Sequence, residues 1–281
     1  MAEVGDDPNE ISLEEARKID PRYEVDDIVE TEVTPRNFGR IAAQNAKQVV
    51  VQRIREAERG MVFEKFSSRE NDIVTGIIQR MENKNVYIDL GKAEAILTPN
   101  EQIPGEIYQY HDRMKTYIVE VKKTSKGPQI MVSRTHPGLL KRLFELEVPE
   151  IHDGLVEIKS VAREPGMRSK ISVYTKDENI DPVGACVGHK GMRVQTIVNE
   201  LRGEKIDIVK YSSEPDQYVA NALSPAKVVS TEVLEEEKIC RVIVPDYQLS
   251  LAIGKEGQNA RLAAKPVSYT HLRAHETRHD L

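Results

Sequence analysis

Two short loops, Gly188-His189-Lys190-Gly191 and Gly254-Lys255-Glu256-Gly257, carry the residues best suited to hold a phosphodiester. Each glycine pair removes the side chains that would keep a sugar-phosphate strand at a distance, so backbone N–H groups of the turn can approach it. The helix expected after each loop turns the positive end of its dipole toward the same anion. Lys190 and Lys255 add formal charge, and His189 can hydrogen-bond phosphate whether neutral or partly charged. One glycine pair at this spacing means little, because an ordinary helix–helix turn also favours glycine. Two of them, 66 residues apart in matching surroundings, read as a repeated phosphate-contacting device. Arg193 extends the first loop. In the second, Glu256 repels the phosphate that Lys255 attracts, and Gln258, Asn259 and Arg261 are expected to compensate.

Other chemistries fit poorly. Gly184 to Lys190 falls one residue short of the nucleotide-triphosphate loop spacing, and Gly191 follows the lysine where a magnesium-binding hydroxyl is needed. In the second loop Glu256 takes the hydroxyl position. Cys186 sits in an apolar helical stretch and reads as a small core residue. His271, His275 and His279 fall at i, i+4, i+8 and imitate a metal face, but they lie in a tail that reads as non-native, so no metal, cofactor or catalytic role is assigned. A second nucleic-acid surface is expected farther upstream. There Tyr87 is the stacking aromatic, with Lys122, Lys123, Lys126 and Arg134 as charges around it, although a packed tyrosine and a hairpin kept soluble by lysines explain the same residues.

The elements that position these residues follow from periodicity. Ser12 with Glu15 forms a capping box for a short helix that Asp20-Pro21 closes. A long helix is predicted from about Thr34-Pro35 to Phe66, with Ile41, Val50, Ile54, Ala57, Met61 and Phe63 forming one buried stripe. From Asp72 the period becomes strand-like. Five short runs between residues 73 and 133, separated by Gly, Asn and Pro, predict a small β-barrel with a basic hairpin at 122–127. Thr135-His136-Pro137-Gly138 marks a boundary. Beyond it come a helix (139–146), strands (155–162 and 170–174), two helices flanking the first glycine loop, and a strand (206–209). A second α-β-β-α-α unit follows, with strands at 226–231 and 239–244. The stretch matching the first unit's closing strand starts at His271 and does not read as a strand. The closing strand is therefore expected to be missing, leaving the second module weaker than the first.

Composition sets outer limits. The 281 residues hold 40 Lys and Arg against 46 Asp and Glu, a net charge of −6, so nucleic-acid binding must come from local geometry rather than a bulk field. Two cysteines exclude a disulfide framework and suit a reducing compartment. No apolar run is long enough to span a membrane, and the acidic start does not read as a secretory signal; a cytoplasmic location is expected. Residues 1–70 hold 11 basic and 16 acidic side chains, an acidic head before three nearly neutral segments.

The chain resembles the NusA family of transcription elongation and termination/antitermination factors. The resemblance rests on residues 182–194 (PVGACVGHKGMRV), 245–265 (PDYQLSLAIGKEGQNARLAAK) and 127–137 (GPQIMVSRTHP), and it extends from about Glu10 to Lys265. It implies an α+β multidomain protein. The parts are a partial N-terminal helical domain (1–70), a five-stranded OB-type S1-motif barrel (71–136) and two tandem prokaryotic-type KH domains of order α-β-β-α-α-β (137–211 and 212–265). A tail of cloning-derived character (266–281) follows. It also implies a monomeric RNA-binding protein that modulates pausing, termination and antitermination, and is not an enzyme. Single-stranded RNA, with a leaning toward A-rich sequence, RNA polymerase and other antitermination factors are the implied partners. Because the family's globular head is entered only near Ile11, the polymerase-docking surface is expected to be incomplete. The alternative is an RNA-binding subunit of an RNA-degradation or ribosomal assembly. The first would need a large catalytic core and the second a strongly basic chain.

Overall fold

The computed structural model describes residues 11–30, 38–234, 239–265 and 271–276. The chain divides into two compact units, 1–57 and 58–281. In the first, Ser12 caps α1 (Leu13–Ile19): the Glu15 N–H donates to Ser12 Oγ at 3.3 Å and Ser12 Oγ donates to Glu15 Oε2 at 3.0 Å. α2 spans Phe38–Ser67; the expected start at Thr34-Pro35 lies outside the described residues. The predicted buried stripe is not realised along most of the helix. Ile41, Val50, Ile54 and Met61 are exposed, and packing begins only with Val62, Phe63 and Phe66 near the C-terminal end.

The second unit opens with a closed barrel. β1 (Ile73–Glu82), β2 (Asn85–Asp89), β3 (Glu94–Leu97), β4 (Arg113–Thr124) and β5 (Gly127–Ser133) close in the order β1-β2-β3-β5-β4, and only the β3–β5 pair is parallel. Alternation sends Val86 and Ile88, Ala95 and Leu97, and Ile130 and Val132 inward, where Phe66 from α2 joins them. Gly76 has no substitute: a Cβ there would lie 2.3 Å from Ile88 Cγ2 and 2.8 Å from the Asp89 carbonyl oxygen.

The first KH module comprises α3 (Pro137–Glu147), α4 (Pro149–His152), β6 (Glu157–Glu164), β7 (Arg168–Tyr174), α5 (Pro182–Val187), α6 (Met192–Glu200) and β8 (Lys205–Lys210). Its sheet runs β6-β7-β8, with β7 and β8 parallel. Leu139, Leu140, Leu143 and Phe144 of α3 pack with Ile171, Val173 and Ile197; burying each such side chain contributes about 1.5–3 kcal/mol. The second module repeats the plan with α7 (Pro215–Ala222), β9 (Ser230–Leu234), β10 (Ile239–Val244), α8 (Asp246–Ile253), α9 (Gln258–Ala264) and β11 (His271–Glu276).

Two expectations for the second module fail. The strand read at 226–231 begins instead at Ser230: Ala226 and Val228 are apolar because they fill the module core from a connecting segment. The closing strand, expected to be missing, is present. β11 pairs in parallel with β10 from Ile239↔His271 to Val244↔Glu276, completing the order β11-β10-β9. The open edge of β10 supplies a full ladder of backbone partners, and that pairing does not depend on a strand-like side-chain pattern.

Buried polar contacts join the three domains of this unit. Between barrel and first KH module, Arg134 bonds Glu106, Glu200 and the Lys115 carbonyl, and His136 stacks on Tyr117 at 4.5 Å and 9°. Between the KH modules, Tyr218 Oη meets Ser160 and Ser172 Oγ at 2.9 and 2.8 Å, and Lys170 Nζ donates to the Ser224 carbonyl at 2.8 Å.

Candidate nucleic-acid interface

Each glycine loop hangs between two short helices, α5 and α6 in the first module, α8 and α9 in the second. Their backbones are nearly identical. Gly188 and Gly254 sit at φ/ψ of 74°/176° and 74°/174°, a region open essentially to glycine alone. Lys190 and Glu256 follow at 50°/26° and 52°/28°, then Gly191 and Gly257 at 76°/13° and 76°/12°, all left-handed. The repeat predicted from sequence is thus a repeat of conformation. His189, Lys190, Lys255 and Glu256 are exposed, and the side chains of His189, Lys190 and Lys255 make no hydrogen bond or ion pair among the described residues. The loops are closed by their own backbone bonds, Met192 and Gln258 N–H to the His189 and Lys255 carbonyls and Gly191 and Gly257 N–H to the Gly188 and Gly254 carbonyls, so each presents a fixed turn with exposed charged side chains at its tip.

The flanking residues expected to touch nucleic acid are engaged elsewhere. Arg193, half-buried, donates from Nη1 to the Ala185 carbonyl at 2.6 Å and to Glu150 Oε2 at 2.8 Å. Asn259 occupies the same place five residues after the first glycine of the second loop. It is buried, with Nδ2 within 3.1–3.2 Å of the Leu223, Leu251 and Ala252 carbonyls. Both side chains satisfy carbonyls at the C-terminal end of the helix before their loop, which would otherwise be left over. Asn259 Oδ1 is buried with no hydrogen-bond partner among the described residues.

Gln258 and Arg261 reach across to the first KH module, where Glu164 accepts from Gln258 Nε2 at 2.7 Å and from Arg261 Nε at 3.2 Å. Burial pushes the Glu164 carboxyl up, but these two bonds outweigh it and hold it below the usual carboxylate range. Arg261 Nη1 also donates to the Glu256 carbonyl. These two side chains fix where the second loop stands relative to the first module.

The barrel surface is rearranged as well. Tyr87 is half-buried and has the Arg80 guanidinium 4.1 Å from its ring centroid, so one face is already covered. Arg80 itself is held by Glu94 through bonds of 3.1 and 2.8 Å. Lys122 pairs with Glu120 at 2.9 Å, and Lys123 lies over the Phe63 ring at 4.4 Å. Arg134 is not a rim charge: only 1% of its side chain is exposed, and Glu106 and Glu200 neutralise it. Of that predicted group Lys126 makes neither an ion pair nor a cation–π contact among the described residues, and Lys123 makes no ion pair.

Neither cysteine is poised for chemistry. Burial pushes the Cys186 thiol up to about 12 and the Cys240 thiol up to about 11. His271 and His275 lie on β11, a strand, so the helical metal face does not form; His279 lies outside the described residues. Sequence reasoning missed Arg80, Met167 and Lys205. Lys205 opens β8 beside the second loop, and no spacing rule connects it to a motif 49 residues away.

Comparison with known proteins decides the family. A NusA N-terminal domain model matches residues 1–60, an S1 RNA-binding domain model 67–133, and models of the NusA-like first and second KH domains 134–211 and 215–272. The transcription termination/antitermination protein NusA of Halalkalibacterium halodurans is 70% identical over 265 residues, covering 94% of this chain and 69% of that protein. The corresponding Bacillus subtilis protein is 69% identical over 263 residues, covering 94% and 71%. That of Thermus thermophilus is 46% identical over 270 residues, covering 96% and 70%. The chain belongs to the NusA family. It is a transcription termination/antitermination factor with S1 and KH RNA-binding domains. The NusA N-terminal model begins at residue 1, so the similarity is not confined to the stretch after Ile11. Likewise the second KH model runs past Lys265 to residue 272, into β11.

Proposed function

We propose that the two glycine loops hold one single-stranded RNA, and that this contact lets the protein act on transcription as a NusA-type factor bound to RNA polymerase. The observation that carries the reading is the matched conformation of the loops, with unpaired cations at their tips and one domain joint holding both. A loop of this type grips about four nucleotides through their backbone. Two such loops on joined modules suit a continuous strand, and backbone contact makes recognition largely sequence-tolerant. Binding, not catalysis, is the activity: the exposed loop-tip groups His189, Lys190, Lys255 and Glu256 form no nucleophile–base pair, and both thiols are held protonated. RNA polymerase and other antitermination factors are the expected protein partners, with the protein working as a cytoplasmic monomer.

Fluorescence anisotropy with a labelled single-stranded RNA tests the reading. Gly191→Asp and Gly257→Asp each place a carboxylate at the closest approach; a Cβ meets nothing nearer than 4.0 Å at Gly191 and 3.4 Å at Gly257, and the cost is the left-handed backbone at φ 76°, about 1–2 kcal/mol for a non-glycine residue. Each should weaken binding about tenfold or more while the protein stays folded. Unchanged affinity in both variants would refute the reading. A pull-down against core polymerase tests the second half separately.

A further inference from the structure

A cleft of about 420 Å³ lies where the two KH modules meet. Met167 and Lys205 of the first module and Leu251, Gly254, Lys255 and Asn259 of the second line it. Its size suits a small-molecule-sized group such as one nucleotide. Met167 and Leu251 are 56% and 44% exposed, which leaves apolar surface for a planar base. Lys205 and Lys255 are exposed and have no acidic partner among the described residues. The neighbouring Arg168, by contrast, is neutralised by Asp207 through bonds of 2.7 and 3.0 Å. Asn259 also lines the cleft, and its amide nitrogen is committed to three carbonyls, so the orientation of its carboxamide is fixed. Oδ1 is buried and has no hydrogen-bond partner among the described residues.

We infer that this cleft is a nucleotide pocket built by both modules, and that Lys205 and Met167 of the first module serve the RNA held by the second glycine loop. The base lies against Met167 and Leu251, and the phosphates on either side contact Lys205 and Lys255. A bare phosphate offers charge but no apolar face, and an apolar molecule offers nothing to the lysines; a single-stranded ribonucleotide offers both. The inference rests on the RNA reading of the loops. It departs from it on one point: Lys205 lies on the first module's own sheet and would ordinarily be assigned to the first loop.

That point makes the test. Lys205→Ala in the full chain should weaken binding of a 12-nucleotide RNA about threefold to tenfold and lower the salt slope by about 0.7, the loss of one single-strand phosphate contact. The same substitution should have its full effect in a Gly191→Asp background and almost none in a Gly257→Asp background. If Gly257→Asp melts early, Lys255→Ala takes its place in the cycle. Met167→Ala should weaken binding without changing the slope. An effect of Lys205→Ala that survives Gly257→Asp but vanishes with Gly191→Asp overturns the shared pocket and leaves the RNA reading standing. No effect of Lys205→Ala in the parent protein also overturns it. If neither loop variant weakens RNA binding, both the shared pocket and the RNA reading fall.

Discussion

Lys190 and Glu256 hold the same left-handed conformation, φ 50°/ψ 26° and φ 52°/ψ 28°, at the third position of matched loops, and they carry opposite charges. The loop geometry is thus separable from the loop's electrostatics. The two glycines that bound each loop carry the same conformation in both copies, and the residues between them are free to set the field at the phosphate.

Exchanging the charges should therefore change salt dependence without changing the fold. Glu256→Lys is expected to tighten RNA binding about threefold and steepen the salt slope by about 0.7. Lys190→Glu should weaken binding and flatten the slope by a similar amount. Anisotropy titrations between 50 and 300 mM salt, about the range over which screening changes strongly, read both. Equal slopes in all three proteins would mean that neither side chain reaches a phosphate.

Arg134→Ala is expected to cost stability rather than RNA affinity. Its guanidinium neutralises Glu106, whose side chain is 2% exposed, and bonds the Lys115 and Glu200 carbonyls. Its removal leaves the Glu106 carboxylate with Arg202 at 3.4 Å and the Tyr108 hydroxyl at 2.7 Å, so the loss should fall below the about 3–5 kcal/mol typical of a buried charge left with no partner. Urea denaturation should show this loss. In protein kept folded at low temperature, the RNA salt slope should match the parent's.

Arg134 also shows where sequence reading stopped. The loops were legible because glycine spacing is a local signal for a backbone conformation, and the same signal occurs twice. The barrel was legible through alternation, and the α-β-β-α-α order through changes of period. Burial of a charge is not local. Glu106 and Glu200 stand 28 and 66 residues from Arg134, and the arginine follows a basic hairpin where an exposed role looks natural. Arg193, Asn259, Gln258 and Arg261 show the same limit: a polar residue beside a glycine loop can contact a ligand or brace the loop, and the bracing contacts seen here come from partners distant in sequence or from the backbone. In β11 the error ran the other way, since an open sheet edge accepts a segment whose side chains carry no strand pattern.

Ending the chain after Lys265 removes β11 and returns the edge of β10 to solvent. Hydrogen exchange should then quicken at the β10 amides that face β11, while β7, which keeps β8 beside it, stays protected. The thermal transition of the second module should fall as well. Unchanged β10 protection in the truncated chain would show that β11 adds nothing to the sheet in solution.

Acid should loosen the joint between the KH modules before it unfolds either barrel or sheet. At Glu204, burial pushes the carboxyl up, but Arg163, Ser169 and the Gly166 N–H outweigh it and hold the group below its ordinary value of 4.5. Glu164 is held down in the same way by Gln258 and Arg261. A carboxyl depressed in the folded protein binds fewer protons there than in the unfolded chain. Its contribution is therefore complete above about pH 4.5 and is lost as pH falls through the folded value. The two sites differ in what they hold. Glu204 is fully buried inside the first module, whereas Glu164 bridges the modules and is partly exposed, so its contribution is smaller and more easily screened. Glu164→Gln should leave stability at pH 7 nearly unchanged and flatten part of its decline as pH falls below about 4.5. It should also widen the separation of fluorophores placed on α3 and α8. Glu204→Gln should destabilise the protein at pH 7, because it leaves the Arg163 guanidinium buried without its counter-charge. Matching pH profiles for Glu164→Gln and the parent protein would mean that the bridge to Gln258 and Arg261 does not hold the modules together.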